Sequence, residues 1–150
     1  MGTQLGYVKH FKDLEVYKRQ RDLSRDGFRL SKSFPADERF SLTDQLRRAS
    51  RSIGAQIAEA WAKRLYPKHF VSKLSDADGE QMETQHWLIE AGDCDYLDEE
   101  NSKRLLALCM EIGRMLGSMM RKAKLFSSYD YSLHEGSPPY LANDAFDSEH

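Results

Sequence analysis

Cysteine is scarce in this chain of 150 residues, which contains only Cys94 and Cys109. Two thiols fifteen positions apart, with no further Cys or His at metal-ligand spacing, support neither a disulfide framework nor a zinc site. The composition therefore predicts a protein of the reducing cytoplasm that folds without covalent or metal staples.

Long hydrophobic runs are also missing. The longest uninterrupted apolar run, Leu105 to Met110, is six residues, far short of the roughly 20 that cross a bilayer. The first dozen residues lack the basic start and apolar stretch of a signal peptide. We expect no membrane partner.

Recognisable catalytic motifs are absent from the sequence. It has no Gly-rich phosphate loop and no Ser-centred elbow, and Cys94 lies in an acidic stretch that disfavours its thiolate. Glu83 and His86 have the i, i+3 spacing of a di-metal bundle site, but such a site needs a second copy of the motif. The sequence predicts no enzyme activity, no cofactor and no metal.

What the sequence does contain is helical periodicity. Apolar residues step by alternate threes and fours through four segments, which predicts helices at about 14–33, 42–64, 67–92 and 99–126. Asp13 and Ser41 are predicted N-caps, and Gly79 is expected to permit a close helix contact. Short connections favour antiparallel neighbours, so residues 13–126 are predicted to form an all-α, up-down-up-down four-helix bundle. Residues 1–12 would be an N-terminal arm.

Residues 127–150 differ in composition from the predicted bundle. Lys and Arg are absent, Ser, Asp and Pro are frequent, and the aromatic residues have no period. We predict an acidic mobile tail.

The fourth predicted helix has more apolar surface than one seam requires. One stripe would face the core, and a second would be left for copies of the same chain. The alternative is a single wide stripe buried by the other three helices. The core stripe is Leu105, Leu108, Ile112, Met115 and Met119. The candidate oligomer interface is Leu106, Cys109, Gly113, Leu116 and Met120.

Charge is sorted along the chain. Residues 1–73 hold 16 Lys or Arg against 8 Asp or Glu, whereas the remainder is acidic. A basic face on helices 1 and 2 predicts binding to the backbone of RNA or DNA. The alternative is a solvated face whose charges pair locally with Asp22, Asp26 and Asp44. No aromatic residue is interleaved with these arginines in a way that suggests base stacking. The candidate phosphate-binding residues are Arg47, Arg48, Arg51, Lys63, Arg64 and Lys68, to which helix 1 adds Lys18, Arg19, Arg21, Arg25 and Arg29.

Several motifs, in order along residues 9–124, resemble those of one bacterial family. They are Phe11-Lys12-Asp13-Leu14-Glu15-Val16-Tyr17, Ser33-Phe34-Pro35, Leu42-Thr43-Asp44-Gln45-Leu46-Arg47-Arg48-Ala49, Ile57-Ala58-Glu59, Glu83-Thr84, Trp87-Leu88 and Tyr96-Leu97. The pattern is similar to the four-helix bundle family first noticed in intervening sequences of 23S ribosomal RNA genes. More distantly, it resembles the accessory variability proteins of diversity-generating retroelements.

The resemblance implies a pentameric ring with a basic surface for nucleic acid and, in the retroelement branch, a partner that is a nucleic-acid enzyme. The motif around Arg47 and Arg48 makes those two residues the implied contacts. The sequence departs from the family pattern at Gly54, Gln56 and Ala60 and in the acidic tail. A protein-interaction scaffold that does not bind nucleic acid is the alternative function.

Overall fold

The described part of the chain, residues 8–132, is all-helical in this computed structural model, and side chains are described for residues 8–127. It contains four long helices, one shorter helix and no strand within those residues. Two single 3-10 turns, Phe11–Asp13 and Ala36–Glu38, precede the first and second long helices. The helices are α1 (Glu15–Ser31), α2 (Leu42–Ala62), α3 (Pro67–Asp93), α4 (Glu99–Arg121) and α5 (Ala123–Ser132). The all-α prediction is confirmed.

The four long helices enclose one core. α1 packs on α2 and α4, and α3 packs on the same two helices from the other side. Each helix contributes the apolar positions that its sequence period predicts. Side chains with no exposed surface include Ile53, Ile57, Phe70, Leu74, Leu88, Leu105 and Ile112.

Helix starts follow the sequence signals in part. Asp98 accepts a hydrogen bond from the Asn101 amide at 2.7 Å, and Pro67 occupies the first turn of α3. Asp13 does not cap α1, because its carboxylate accepts from the amide of His10 in the preceding 3-10 turn. Ser41 likewise makes no capping bond.

The buried residues of α1 include a polar one that contacts α2. Gln20 is buried, and its Nε2 donates to the Ser50 carbonyl of α2 at 3.0 Å. Gly54 faces this amide so closely that a Cβ would lie 2.5 Å from Gln20 Oε1. The two residues therefore fix the contact between α1 and α2. Gly79, by contrast, is exposed with no described atom within 4 Å of a built Cβ, so the expected close helix contact is wrong.

The fourth predicted helix, 99–126, is two helices. The backbone leaves helical geometry at Lys122 (φ −101°, ψ 18°), and α5 starts one residue later. Phe126 then packs against Phe70 and Trp61, with ring centroids 5.0 and 6.5 Å away, and this packing turns α5 onto the end of the bundle. Residues 127–132 of the predicted tail continue α5, while the rest of the tail, 133–150, and residues 1–7 of the predicted arm lie outside the described residues.

The predicted oligomer interface on α4 needs correction. Cys109 and Leu116 have no exposed surface within a single chain, so they cannot meet a second copy. They alternate with Leu105 and Ile112 along one line of the helix, and this line runs between the two predicted stripes. The two stripes are thus the flanks of one wide seam.

The remaining interface candidates are only partly buried. Leu106 and Met120 flank the seam on one side, and Leu108, Met115 and Met119, which were predicted for the core, flank it on the other. Gly113 meets its own chain, because a Cβ there would lie 2.9 Å from Gln81 Nε2 of α3.

Candidate nucleic-acid interface

Three cations surround one aromatic ring where α1 meets α2. The guanidinium carbons of Arg47 and Arg51 lie 4.7 and 5.4 Å from the centre of the Phe28 ring, and Lys32 Nζ lies 4.8 Å from it. Arg47 and Arg51 are one turn apart on α2, as the i, i+4 spacing predicts. Phe28 is 36% exposed, so this cluster faces solvent.

Arg47 is held in place by a second contact. Its Nε donates to Ser31 Oγ at 2.8 Å, and that hydroxyl donates to the Phe28 carbonyl at 3.0 Å. The remaining guanidinium nitrogens of Arg47 stay available, because no other hydrogen bond engages them among the described residues. A side chain fixed in this way loses little conformational entropy when it binds an anion.

The cation cluster continues into a shallow cavity of about 330 Å³ between α1 and α2. Arg51 is shared by the cluster and the cavity, Arg21 and Arg25 line the α1 side, and Ala55 and Ala58 line the α2 side. Phe11 and Tyr17 close the far end. We call this surface the α1–α2 groove and define it by Arg21, Arg25, Phe28, Lys32, Arg47 and Arg51.

The five cations of the groove have no carboxylate within 4.0 Å among residues 8–127. The nearby acidic residues of α1 are engaged elsewhere, since Asp22 faces Arg19 and Asp26 pairs with Arg29 and Arg104. Asp44, in the first turn of α2, pairs with none of the described cations. The alternative interpretation, in which Asp22, Asp26 and Asp44 neutralise this face, therefore does not describe these five residues.

Arg48 points away from the groove. It pairs with Glu80 and Glu83 of α3 at 3.6 and 2.5 Å, and Glu83 also accepts from Trp87 Nε1 at 3.3 Å. The bond to Glu83 raises the pKa of Arg48 and lowers that of Glu83, whereas burial raises the pKa of Glu80. Arg48 lies about 100° around α2 from Arg47 and links α2 to α3. The geometry removes it from the phosphate-binding candidates.

Lys63, Arg64 and Lys68 lie outside the groove, in the turn between α2 and α3 and at the start of α3. Lys63 is twelve residues after Arg51, which corresponds to about 18 Å along the axis of α2. The guanidinium of Arg64 lies 4.0 Å from the Trp61 ring, and its Nη1 donates to the Trp61 carbonyl at 2.8 Å. Lys68 borders a hollow at the junction of α4 and α5, which we call the Lys68 hollow. Its other lining residues include Val71, Arg121, Lys122, Lys124 and Leu125. The six predicted candidates thus divide into three separate places.

Sequence reasoning missed Phe28 and Lys32. Phe28 lies between Arg47, Arg51 and Lys32, but these cations cover its ring, so the expectation that no aromatic residue is placed there for base stacking stays a prediction. The available signal was the spacing of residues 21, 25, 28 and 32, which places them on one face of α1. Of the other helix 1 candidates, Lys18, Arg19 and Arg29 are paired with carboxylates.

Other chemical groups are dispersed in the described residues. No group of three or more potential metal ligands occurs there, and His86 faces Glu90 at 4.0 Å rather than Glu83. Burial raises the pKa of Cys109 to about 12, so its thiol stays protonated. None of the described helices has both the length and the hydropathy to cross a bilayer.

Comparison with known proteins identifies related sequences and folds. The family model for the 23S rRNA-intervening sequence protein matches residues 12–118. A crystal structure from Bacteroides thetaiotaomicron VPI-5482, of a protein with unknown function from the S23 ribosomal protein family, superposes with a TM-score of 0.64. The two are 26% identical, and the match covers 71% of this chain and 95% of that chain. None of the curated proteins matches.

Proposed function

Since this chain belongs to the 23S rRNA-intervening sequence protein family, we propose that it is a non-enzymatic protein that binds the RNA or DNA backbone in the α1–α2 groove. The observation that carries the proposal is the set of five groove cations without a carboxylate partner among the described side chains. These five cations lie together on one surface, whereas Lys18, Arg19 and Lys103 elsewhere on the protein pair with carboxylates. The unpaired set therefore favours an external anion.

The chemistry of the groove suits phosphate better than bases. Four of its five cations are arginines, whose planar guanidinium groups donate two parallel hydrogen bonds to a phosphate. Phe28 is engaged by three cations on its surface, which leaves it unsuited to stacking on a base. Binding should accordingly depend on the backbone, vary little with base sequence and weaken as salt rises.

The proposal includes self-association, for which a second surface is the candidate. On α3, Met82 is 58% and Ile89 50% exposed, and on α4 Met110 is 53% exposed beside the half-buried Leu106. These four residues, the α3–α4 apolar face, replace the α4 seam as the proposed interface. A pentameric ring, as the family resemblance implies, would repeat the groove on each copy.

An up-down-up-down course of the helices within each copy is also part of the proposal. Two ion pairs support it, because Arg19 meets Glu111 whereas Asp26, later on α1, meets Arg104, earlier on α4. Neighbouring helices that pair in this order run in opposite directions.

A fluorescence anisotropy titration with labelled single-stranded RNA and duplex DNA tests nucleic-acid binding. Arg21→Gln combined with Arg51→Gln should weaken binding and flatten the slope of log K against log salt by about 0.7 to 0.9 per lost contact. The matched control is Lys103→Gln with Arg114→Gln, which removes the same charge from α4 and should leave the slope unchanged.

The scaffold function makes the opposite prediction. A wild-type protein that binds neither probe at about 50 mM salt would contradict the proposal, because phosphate contacts are strongest at low salt. Equal losses in the groove variant and the control would show that net charge, rather than this groove, governs binding.

A further inference from the structure

The α1–α2 groove has a complement within the same sequence. Residues 133–150 contain four acidic residues, Glu135, Asp144, Asp147 and Glu149, and no Lys or Arg. The same stretch contains Tyr140, Leu141 and Phe146. The groove offers the opposite charge together with apolar surface from Phe11, Tyr17, Ala55 and Ala58.

The end of α5 is within reach of the groove. Phe126 is fixed against Trp61 near the C-terminal end of α2, and α5 ends at Ser132, about 9 Å further along a helix. Arg51 lies ten residues before Trp61 on α2, about 15 Å along its axis. The twelve residues 133–144 span up to about 40 Å when extended, which covers both distances and the turn between them.

From this charge complementarity and reach, we propose that residues 133–150 occupy the α1–α2 groove of their own chain and compete there with nucleic acid. The competition with nucleic acid rests on the proposed function. The contact between residues 133–150 and the groove does not depend on it. The acidic segment takes the place of the phosphates, since carboxylate and phosphate both match the bidentate geometry of arginine. Nucleic acid then binds only to the fraction of molecules whose groove is open.

The groove is favoured over the Lys68 hollow, the other basic surface near α5. The groove has four arginines, Arg47 beside Phe28 and three that line the cavity, whereas Arg121 is the one arginine lining the hollow. Arginine holds a carboxylate with two parallel hydrogen bonds, whereas lysine offers a point charge. Phe11 and Tyr17 also provide aromatic contacts for Tyr140 and Phe146, and aromatic pairs add to the burial of apolar area.

Carbodiimide cross-linking of the full-length protein, without nucleic acid, tests the contact. The reagent joins a carboxylate to an amine in contact with it, and Lys32 supplies one amine in the groove. Arg51→Lys adds a second amine there, and Arg114→Lys is the matched control on α4. We expect cross-links from Asp144, Asp147 or Glu149 to Lys32 and to the amine introduced at position 51.

Salt and position decide the outcome of the cross-linking experiment. The cross-links should diminish at about 1 M salt, where the Debye length is only about 3 Å. Cross-links that form as often at position 114, or that concentrate on Lys68 and Lys122, would overturn the inference. Cross-links that join two copies, identified by mixing isotopically labelled and unlabelled protein, would also overturn it.

Competition is tested by neutralising the segment in the full-length chain. Asp144→Asn, Asp147→Asn and Glu149→Gln together should raise the affinity for a labelled 20-nucleotide RNA roughly tenfold, because each exposed ion pair adds modestly to closure of the groove. The control is Asp93→Asn with Glu99→Gln and Glu100→Gln, three exposed carboxylates outside the segment.

The two experiments separate this inference from the proposed function. If the segment variant and the control bind RNA with equal affinity, competition is overturned although nucleic-acid binding stands. If cross-links form at positions 32 and 51 and no variant binds RNA, the contact is supported and nucleic-acid binding fails.

Discussion

The side-chain amide of Gln20 packs directly against the backbone of Gly54. A Cβ at position 54 would lie only 2.5 Å from Gln20 Oε1. The same amide donates to the Ser50 carbonyl at 3.0 Å. Because one partner lies on α1 and the other on α2, this contact sets how the two sides of the groove face each other. The position of Arg51 relative to Arg21 depends on it.

Gly54→Ala should lower the free energy of unfolding by about 1 to 2 kcal/mol, because a Cβ displaces the buried Gln20 amide from its bond to the Ser50 carbonyl, which costs more than the gain in helix propensity. Gly79→Ala is the matched control and should raise that free energy by about 0.5 to 1 kcal/mol, since a Cβ there meets nothing described within 4 Å. Urea denaturation measures both. A Gly54→Ala protein as stable as the Gly79→Ala protein would contradict the close contact.

Arg48→Ala should lower the free energy of unfolding by about 1 kcal/mol at pH 7, a modest value because the pair is partly exposed. Arg48 lowers the pKa of Glu83 by hydrogen bonding, so that contribution is present above the ordinary pKa of Glu and lost as pH falls through the lowered one. The difference between wild type and variant should therefore shrink in acid.

Burial raises the pKa of Glu80 in wild type and variant alike, and this contribution is lost as pH rises through the raised pKa. Arg48 acts against this effect of burial, so removing Arg48 shifts the pKa values of Glu80 and Glu83 in the same direction, upward. Arg114→Ala, which removes an exposed arginine without a described ion pair, should show no such dependence on pH. Chemical denaturation at several pH values between 3 and 7 measures both variants; a constant difference for Arg48→Ala would contradict the Arg48–Glu83 bond.

Phe28→Ala should weaken nucleic-acid binding about two- to fivefold, because Arg47, Arg51 and Lys32 lose the ring that positions them. The charges remain, so the slope of log K against log salt should stay unchanged. Phe40→Ala is the matched control, since Phe40 is 84% exposed and contacts one cation, Arg39. A changed slope would indicate that the ring supports folding rather than positioning.

The two thiols should react at very different rates. Cys94 is exposed, whereas Cys109 is fully buried and burial raises its pKa to about 12. Ellman's reagent at pH 8 should therefore label one thiol in the native protein and two after unfolding. The variant Cys94→Ser should show no rapid reaction. Rapid labelling of Cys109 would indicate that α4 detaches from the core.

Met110→Lys should reduce the molar mass measured by light scattering towards the 17.3 kDa of one chain, because it places a charge in the α3–α4 apolar face. Leu125→Lys is the matched control, with a residue of similar exposure on α5. A wild-type protein of 17.3 kDa at micromolar concentration would contradict self-association.

Much of the fold could be predicted from the sequence, because apolar spacing and Pro67 are local signals. The observed α2 and α3 lie within two residues of the predicted ranges. The break at Lys122 could not be predicted, since no Gly or Pro marks it. It is accompanied by the packing of Phe126 on Trp61 and Phe70, which come from two other helices.

The candidate site was only partly predictable, because some of its contacts join residues of different helices. Arg47 and Arg51 follow from one helix period, but Phe28 and Lys32 join them only because α1 packs on α2 in one register. Arg48 is adjacent to Arg47 in sequence and faces α3 instead. Likewise, the sequence could not show which apolar residues of α4 belong to the core, because that depends on how α1 and α3 pack against α4.

The Trp61–Phe126 contact gives the protein an internal optical reporter. The sequence has two tryptophans, Trp61 buried beneath α5 and Trp87 half-buried on α3 with its indole bonded to Glu83. If α5 leaves the end of the bundle, the emission of Trp61 should shift to the red while that of Trp87 stays constant. With one indole replaced by phenylalanine at a time, fluorescence would follow docking of α5 and integrity of the α2–α3 ion pairs as separate events.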